Sequence, residues 1–236
     1  METTKLETPI DVMFLIHKAL RCESQRIEKM AADLEEGNSL QAFKLAFNNW
    51  AAALAYHAET EDRYMTAPLA NFPPARECEV EHAGLGGRLG DLGKAIGCDE
   101  TRDLAIKVSR AMADMNQVQH EELTQRLEDV MAVLSQEIGK TRLIDRTKRH
   151  LFGRVVALRI AQDDHLDNEE AFVLPEVRQR MGQAQQDDVA RHLLLDAEAQ
   201  DPGWVLKWMT QYLTLGERRL LNRMVTRISP AAAAVR

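Results

Sequence analysis

The chain has 236 residues, of which 45% are hydrophobic and 5% aromatic, and its net charge is −7 at pH 7. This length is enough to bury a substantial core, and the acidic balance argues against nucleic acid as a partner, because phosphate binding needs a clustered basic surface. No run approaches the roughly 18 apolar residues of a membrane span, and the N-terminal residues do not resemble a secretory signal. The three cysteines, Cys22, Cys78 and Cys98, lack a Cys-x-x-Cys spacing, so we expect free thiols and a cytoplasmic protein.

Apolar residues recur at helical spacing along most of the chain, with glycine or proline between the periodic segments. We find no convincing strand, so the predicted fold class is all-α. The predicted helices are, in chain order, about Asp11–Glu35, Leu40–Ala67, Ala75–Ile96, Thr101–Ile138, Arg142–Met181, Asp188–Ala197 and a last amphipathic helix that begins near Trp204. We expect Pro175 to kink the fifth helix unless that helix ends beside it. Residues 183–188 are expected to form a polar loop, and the tail from Ser229 to be disordered.

Two stretches of the chain repeat one pattern. Each has a histidine, a carboxylate four residues later, a second acid directly after it, and an aromatic residue seven positions after the histidine. The residues are His57, Glu61, Asp62 and Tyr64 in the first stretch, and His165, Glu169, Glu170 and Phe172 in the second. Residues four and seven apart share one face of a helix. Each stretch should therefore present an imidazole, a carboxylate and an aromatic ring on the same side.

Polar residues that interrupt apolar stripes are the candidate site. They are His17, His57, Glu61, His82, His120, His165 and Glu169. An ionised carboxylate in a core is costly unless it is paired or bound to a metal. Imidazole and carboxylate ligands suit iron, zinc or manganese, and the absence of cysteine ligands argues against structural zinc. Two metal ions bridged by Glu61 and Glu169 would use all of these ligands.

Simpler interpretations exist for each residue alone. A single histidine on an apolar face is more often a hydrogen-bonded core residue, and His57 with Glu61 can be an ordinary surface pair four residues apart. The joint placement on core stripes is what favours a metal site. We expect the acids off the stripes to be solvated or to orient the imidazoles. These acids are Glu59, Asp62, Asp167 and Glu170.

The motifs resemble the hemerythrin-like (HHE cation-binding) family of non-heme di-iron proteins. The matching elements are Phe-Leu-Ile-His17-Lys-Ala-Leu-Arg, His57-Ala-Glu-Thr-Glu61-Asp, Glu-Val-Glu-His82-Ala-Gly-Leu and Asp-His165-Leu-Asp-Asn-Glu169-Glu-Ala-Phe-Val-Leu-Pro. The resemblance covers about residues 10–180. It implies an up-down four-helix bundle that holds two iron ions, another divalent metal remaining an alternative.

The chain departs from the family pattern between His82 and His165. The separation of these two histidines is about twice what the family usually has, and an additional long helix carrying His120 fills it. His82 and His120 therefore compete for one ligand role, or both serve. Gly86 stands where oxygen carriers of the family have a second histidine. On this interpretation residues 1–182 form the metal-binding bundle, with the helix at about 100–138 inserted, and residues 183–236 form a C-terminal helical extension and tail.

The resemblance implies a protein that binds O2, another small diatomic molecule or peroxide, or that senses iron or redox state. O2 would bind at an open coordination position, shielded by Trp50, Tyr64, Leu158 and Phe172. One alternative is a di-iron oxidase or peroxidase, although ferritin-like enzymes carry two Glu-x-x-His motifs and this chain has only the one that ends at His82. Another alternative is a metal-free helical interaction protein. The sequence leaves open whether the protein is an enzyme and whether it forms a homo-oligomer.

Overall fold

The computed structural model describes residues 6–35, 39–70, 98–137 and 145–228. Within these ranges the chain is helical and contains no β-strand, which confirms the all-α class. The helices are α1 (Val12–Ala32), α2 (Gln41–Glu61), α3 (Ala67–Ala70), α4 (Cys98–Glu137), α5 (Asp145–Asn168), α6 (Leu174–Arg180), α7 (Gln183–Leu194), α8 (Trp204–Met209) and α9 (Leu215–Ile228). The predicted helix at 75–96, with His82, and the tail from Ser229 lie outside the described residues.

The long helices pack against one another in antiparallel pairs. Two polar contacts define the direction of each pair. As the residue number rises along one helix, the number of its partner falls along the other. This holds for α1 with α5, for α4 with α5, and for α4 with the residues that continue α2. The paired side chains are His17 with Glu170 and Glu28 with Arg159, Gln119 with His165 and Asp129 with Arg154, and Asp62 with His120 and Thr66 with Asn116. α1 also packs against α2. The apolar stripes of these helices consequently share one core.

A turn of π-helix follows each of the two His-x3-Glu motifs, at Asp62–Thr66 and at Glu169–Val173. The wider turn takes up one extra residue, so the interior position falls eight residues after each histidine instead of seven. Met65 and Val173 occupy these positions and are buried.

The expectation that Phe172 shields the site is therefore wrong, because this ring is 49% exposed. Tyr64 is half-buried, and its ring stacks on His192 with 3.7 Å between centroids. Trp50 and Leu158, the two other residues expected to shield the site, are fully buried.

Each π-helical turn ends two residues before a proline. Pro68 lies in α3, and Pro175 lies in the first turn of α6. Proline has no N–H to donate to the carbonyl one turn earlier, which kinks or breaks a regular helix. At Pro175 the wide turn takes up this irregularity, and helical structure continues to Arg180.

The C-terminal helices pack on α1 and α2. The Tyr56 hydroxyl donates to the backbone oxygen of His192 at 2.5 Å, and the Tyr212 hydroxyl donates to the buried Glu23. The predicted loop at 183–188 is wrong, since α7 begins at Gln183. The backbone N–H of Gly182, which precedes this helix, donates to the side chain of Gln185, and Gln185 thereby stabilises the helix start. Among the described helices, none combines the length and apolarity needed to cross a bilayer.

Candidate metal centre

Six of the seven candidate ligands lie together in the core. They come from α1 (His17), α2 (His57 and Glu61), α4 (His120), α5 (His165) and the π-helical turn after α5 (Glu169). None of the six is more than 4% exposed. His82 lies outside the described residues. α4, which corresponds to the helix that departs from the family pattern, thus contributes His120 to this cluster.

The six residues form two overlapping groups. His17 and His57 make up one group with Glu61 and Glu169, and His120 and His165 make up the other with the same two glutamates. Within each group, one potential ligand atom from every residue lies within 4.8 Å of the others. The two carboxylates are therefore shared between two pairs of imidazoles, which is the arrangement that the sequence predicts for a site with two bridged ions.

All four imidazoles direct Nε2 towards the carboxylates. The shortest distances from Nε2 to a glutamate oxygen are 3.4 Å for His17 to Glu169, 3.1 Å for His57 to Glu61, 3.4 Å for His120 to Glu61 and 3.5 Å for His165 to Glu169. His57 with Glu61 and His165 with Glu169 are the pairs four residues apart, so helical periodicity alone aligns them. The two other histidines are brought in by tertiary packing.

Two imidazoles are held from behind by carboxylates. Nδ1 of His17 lies 2.8 Å from Glu170 and Nδ1 of His120 lies 2.9 Å from Asp62. An ionised carboxylate can only accept, so each Nδ1 carries a proton, and Nε2, which faces the cluster, is the nitrogen that can bind a metal ion or a second proton. The expectation that these two acids orient imidazoles is confirmed. Asp167 instead pairs with Arg21.

The outward nitrogens of the other two histidines differ. Nδ1 of His165 lies 3.3 Å from the side-chain oxygen of Gln119, whereas Nδ1 of His57 has no hydrogen-bond partner among the described residues. Sequence reasoning missed Gln119, because a glutamine before a histidine has no recognisable motif. Its position beside His120 on α4, the helix facing His165, was the available signal.

The pair His120 and His165 places two imidazole nitrogens where one ion can lie between them. Their Nε2 atoms are only 3.1 Å apart. If only the outward nitrogens carry protons, two lone pairs face each other at this distance, and either a metal ion or a second proton, on Nε2 of His120, removes the repulsion. Two imidazole nitrogens at about 2.0–2.1 Å from one ion would be this far apart at an angle of about 100°. The spacing therefore fits a shared metal ion.

The two carboxylates give the second argument. None of the four oxygens of Glu61 and Glu169 has a well-oriented hydrogen bond among the described residues, although all are buried and the nearest imidazole nitrogens lie 3.1–3.5 Å away. Burial and the nearby Glu169 raise the pKa of Glu61 well above its usual range. Burial acts in the same direction on Glu169, but the surrounding imidazoles, His165 and His17 foremost, hold its pKa well below the usual range. One carboxylate is thus disfavoured as an anion unless further positive charge is supplied.

The pKa values of the four imidazoles also shift in opposite directions. Burial opposes protonation of His17 and His120, but hydrogen bonds to the neighbouring acids outweigh it and raise their pKa values to about 9 and about 10. Burial lowers the pKa of His57 well below its usual range and that of His165 to about 4. In the metal-free cluster, protons therefore supply positive charge at the nitrogens that would bind metal.

The fold and the site define an all-helical protein with a buried histidine and glutamate cluster that can hold metal ions. Nitrogen and oxygen donors of this kind suit divalent first-row metals. No family model, curated protein or solved structure matches the chain.

Proposed function

We propose that the protein is a hemerythrin-like di-iron protein that binds O2 or a related small oxidant. In this proposal α1, α2, α4 and α5 form an up-down four-helix bundle around two iron ions. The observation that carries the proposal is the sharing of Glu61 and Glu169 between two pairs of histidines. Carboxylates in that position bridge two ions and neutralise their charge inside a core where isolated anions would be unstable.

The balance of donors favours this class over a ferritin-like oxidase. The cluster offers four imidazoles and two carboxylates, whereas the ferritin-like sites use four carboxylates and two histidines from paired Glu-x-x-His motifs. A purely structural role for the histidines is disfavoured because, among the described residues, the carboxylate oxygens have ion-pair contacts with the imidazoles but no well-oriented hydrogen bond, and buried polar groups normally have one. Iron is preferred to zinc because of the hemerythrin-like resemblance; two imidazoles and two shared carboxylates would complete a four-coordinate zinc site but would leave positions open for a small ligand on a six-coordinate iron.

Buried apolar residues on the helical stripes that carry the cluster would suit a small neutral ligand. Apolar side chains lie before the two motif histidines and one turn beyond the two glutamates, and all are buried: Leu54, Leu158, Met65 and Val173. They exclude water, which favours O2 over charged ligands. When bound, two ferrous ions would supply electrons to such an oxidant. The chain's own part is to hold the imidazoles by Asp62 and Glu170 and to keep the site dry.

The test is anaerobic reconstitution with ferrous iron followed by exposure to O2. We expect about two irons per chain in the bridged arrangement, and charge-transfer absorption in the near-ultraviolet that appears with O2 and reverses on reduction. Nitric oxide and hydrogen peroxide, added separately, identify the preferred ligand. Absence of iron uptake would overturn the proposal, and absence of any spectral change when the iron-loaded protein meets O2, nitric oxide or peroxide would overturn the proposed class of ligand.

A further inference from the structure

The two pairs of histidines in the cluster, His17 with His57 and His120 with His165, have different contacts on the side that faces away from the glutamates. Behind His17 stands Glu170, and the guanidinium of Arg21 donates to that same carboxylate at 2.7 Å and to Asp167 at 2.7 Å. The charge-assisted hydrogen bond from Arg21, which lies one turn after His17 on α1, fixes the carboxylate of Glu170 that holds His17. The neighbouring His57 has no such partner among the residues that the structure describes, but its ring is buried and lies edge-on to the ring of His17.

In the other pair, the residue that holds His165 is a neutral and more accessible amide. His165 donates from Nδ1 to the amide oxygen of Gln119 at 3.3 Å, the longest of the three outward contacts. Gln119 is half-buried. Its side chain also lines a groove of about 610 Å³ between α4 and α5, together with Asp164 and Asn168, which directly precede His165 and Glu169. The groove therefore lies over the turn of α5 that carries the ligands.

We propose that the metal ion held by His120 and His165 is the one that exchanges with solvent, and that Gln119 is the positioning residue that controls its release into this groove. The inference rests on the proposed metal site. Water in the groove can compete for the amide oxygen of Gln119, and loss of that contact frees the His165 ring to turn. The ion held by His17 and His57 lies behind the contacts of Glu170 and Arg21 and leaves later.

Extraction of cobalt(II) tests this ordering. The protein is loaded with cobalt(II) chloride, and removal by excess EDTA is followed through the visible absorption of the bound ion. We expect two kinetic phases, one ion each. Gln119→Ala should accelerate the fast phase by about 10- to 100-fold, the range seen for loss of a residue that orients a metal ligand, and should leave the slow phase unchanged. Arg21→Ala should accelerate the slow phase alone.

Two further variants keep the test specific. Gln119→Glu places a stronger acceptor behind His165 and should slow the fast phase. Gln117→Ala removes an exposed amide on the same helix and should change neither phase. Thermal unfolding of the metal-free variants shows whether the fold is intact. If cobalt does not bind to the unaltered protein, the metal site itself is refuted. If two ions bind but leave in one phase, or if Gln119→Ala accelerates both phases equally, only the ordering is refuted.

Discussion

Replacement of Glu61 by glutamine separates a metal ligand from a structural residue. Glutamine has nearly the same shape but removes the anionic bridge that both groups of the cluster share. In the metal-free protein Glu61 is fully buried with its pKa raised, so the folded state must take up a proton or bury an unpaired anion at pH 7. Because glutamine removes that cost, the metal-free variant should be at least as stable as the metal-free unaltered protein.

The expected change in Tm follows from the stabilisation that bound metal provides. A ligand at about 100 times its dissociation constant stabilises the folded state by about 2.7 kcal/mol, so two ions contribute about 5 kcal/mol. For a chain of this size, 1 kcal/mol corresponds to about 2–4 °C in Tm, and saturating metal should raise Tm by about 10–20 °C. If Glu61→Gln weakens both ions about 100-fold, each contributes only about 0.4 kcal/mol at the same metal concentration, and the rise falls to about 2–3 °C.

The assay is thermal unfolding with and without metal, read by circular dichroism. Glu59→Gln is the matched control, because Glu59 lies two residues away on α2 but is exposed. This control should keep the full rise in Tm. The reasoning would be refuted if Glu61→Gln kept the full rise, or if the metal-free variant lost stability while the unaltered protein gained none from metal. Either outcome would assign Glu61 a structural role.

Three other predictions follow from the geometry. Because protons occupy His17 and His120 below pKa values of about 9 and 10, metal affinity should rise with pH and level off near pH 10. The stability that these raised pKa values contribute to the metal-free protein is complete below about pH 6.5 and is lost as the pH rises to about 10. Calorimetric titration at several pH values measures the affinity, and a pH-independent affinity would contradict the prediction. Asp62→Asn should lower metal affinity by about 10- to 100-fold through the loss of its contact with His120, whereas Asp167→Asn, at a side chain that is 74% exposed, should change it little. Leu158→Ala should destabilise the fold by about 2–5 kcal/mol in urea unfolding, and a loss below 1 kcal/mol would mean that this layer is not tightly packed.

Helical periodicity was sufficient to predict those parts of the cluster that lie on one helix. His57 with Glu61 and His165 with Glu169 are four residues apart, and a regular helix places both members of each pair on the interior face. The same rule failed for Phe172, which is exposed because the π-helical turn shifts the register after Glu169. A π-helical turn depends on the packing of the whole helix, and the proline two residues beyond it indicates an irregularity without predicting the shift in register.

The contacts between helices could not be predicted from the sequence. The choice between His82 and His120 could not be made from their neighbours, because each interrupts an apolar stripe; tertiary packing brings His120 to Glu61, and His82 lies outside the described residues. Gln119 was missed for the same reason. Its amide is an ordinary half-buried side chain on α4 until α5 places His165 beside it.

The pair of adjacent acids in each motif has a single physical explanation. Consecutive residues on a helix point about 100° apart, so the first acid can face the cluster while the second faces the neighbouring helix. Glu61 and Glu169 take the first position, while Asp62 and Glu170 hold the histidines of α4 and α1, the two helices that lack a motif of their own. One motif thus supplies both a ligand pair and the anchor for a ligand on another helix, and together the two motifs organise all four helices around the site.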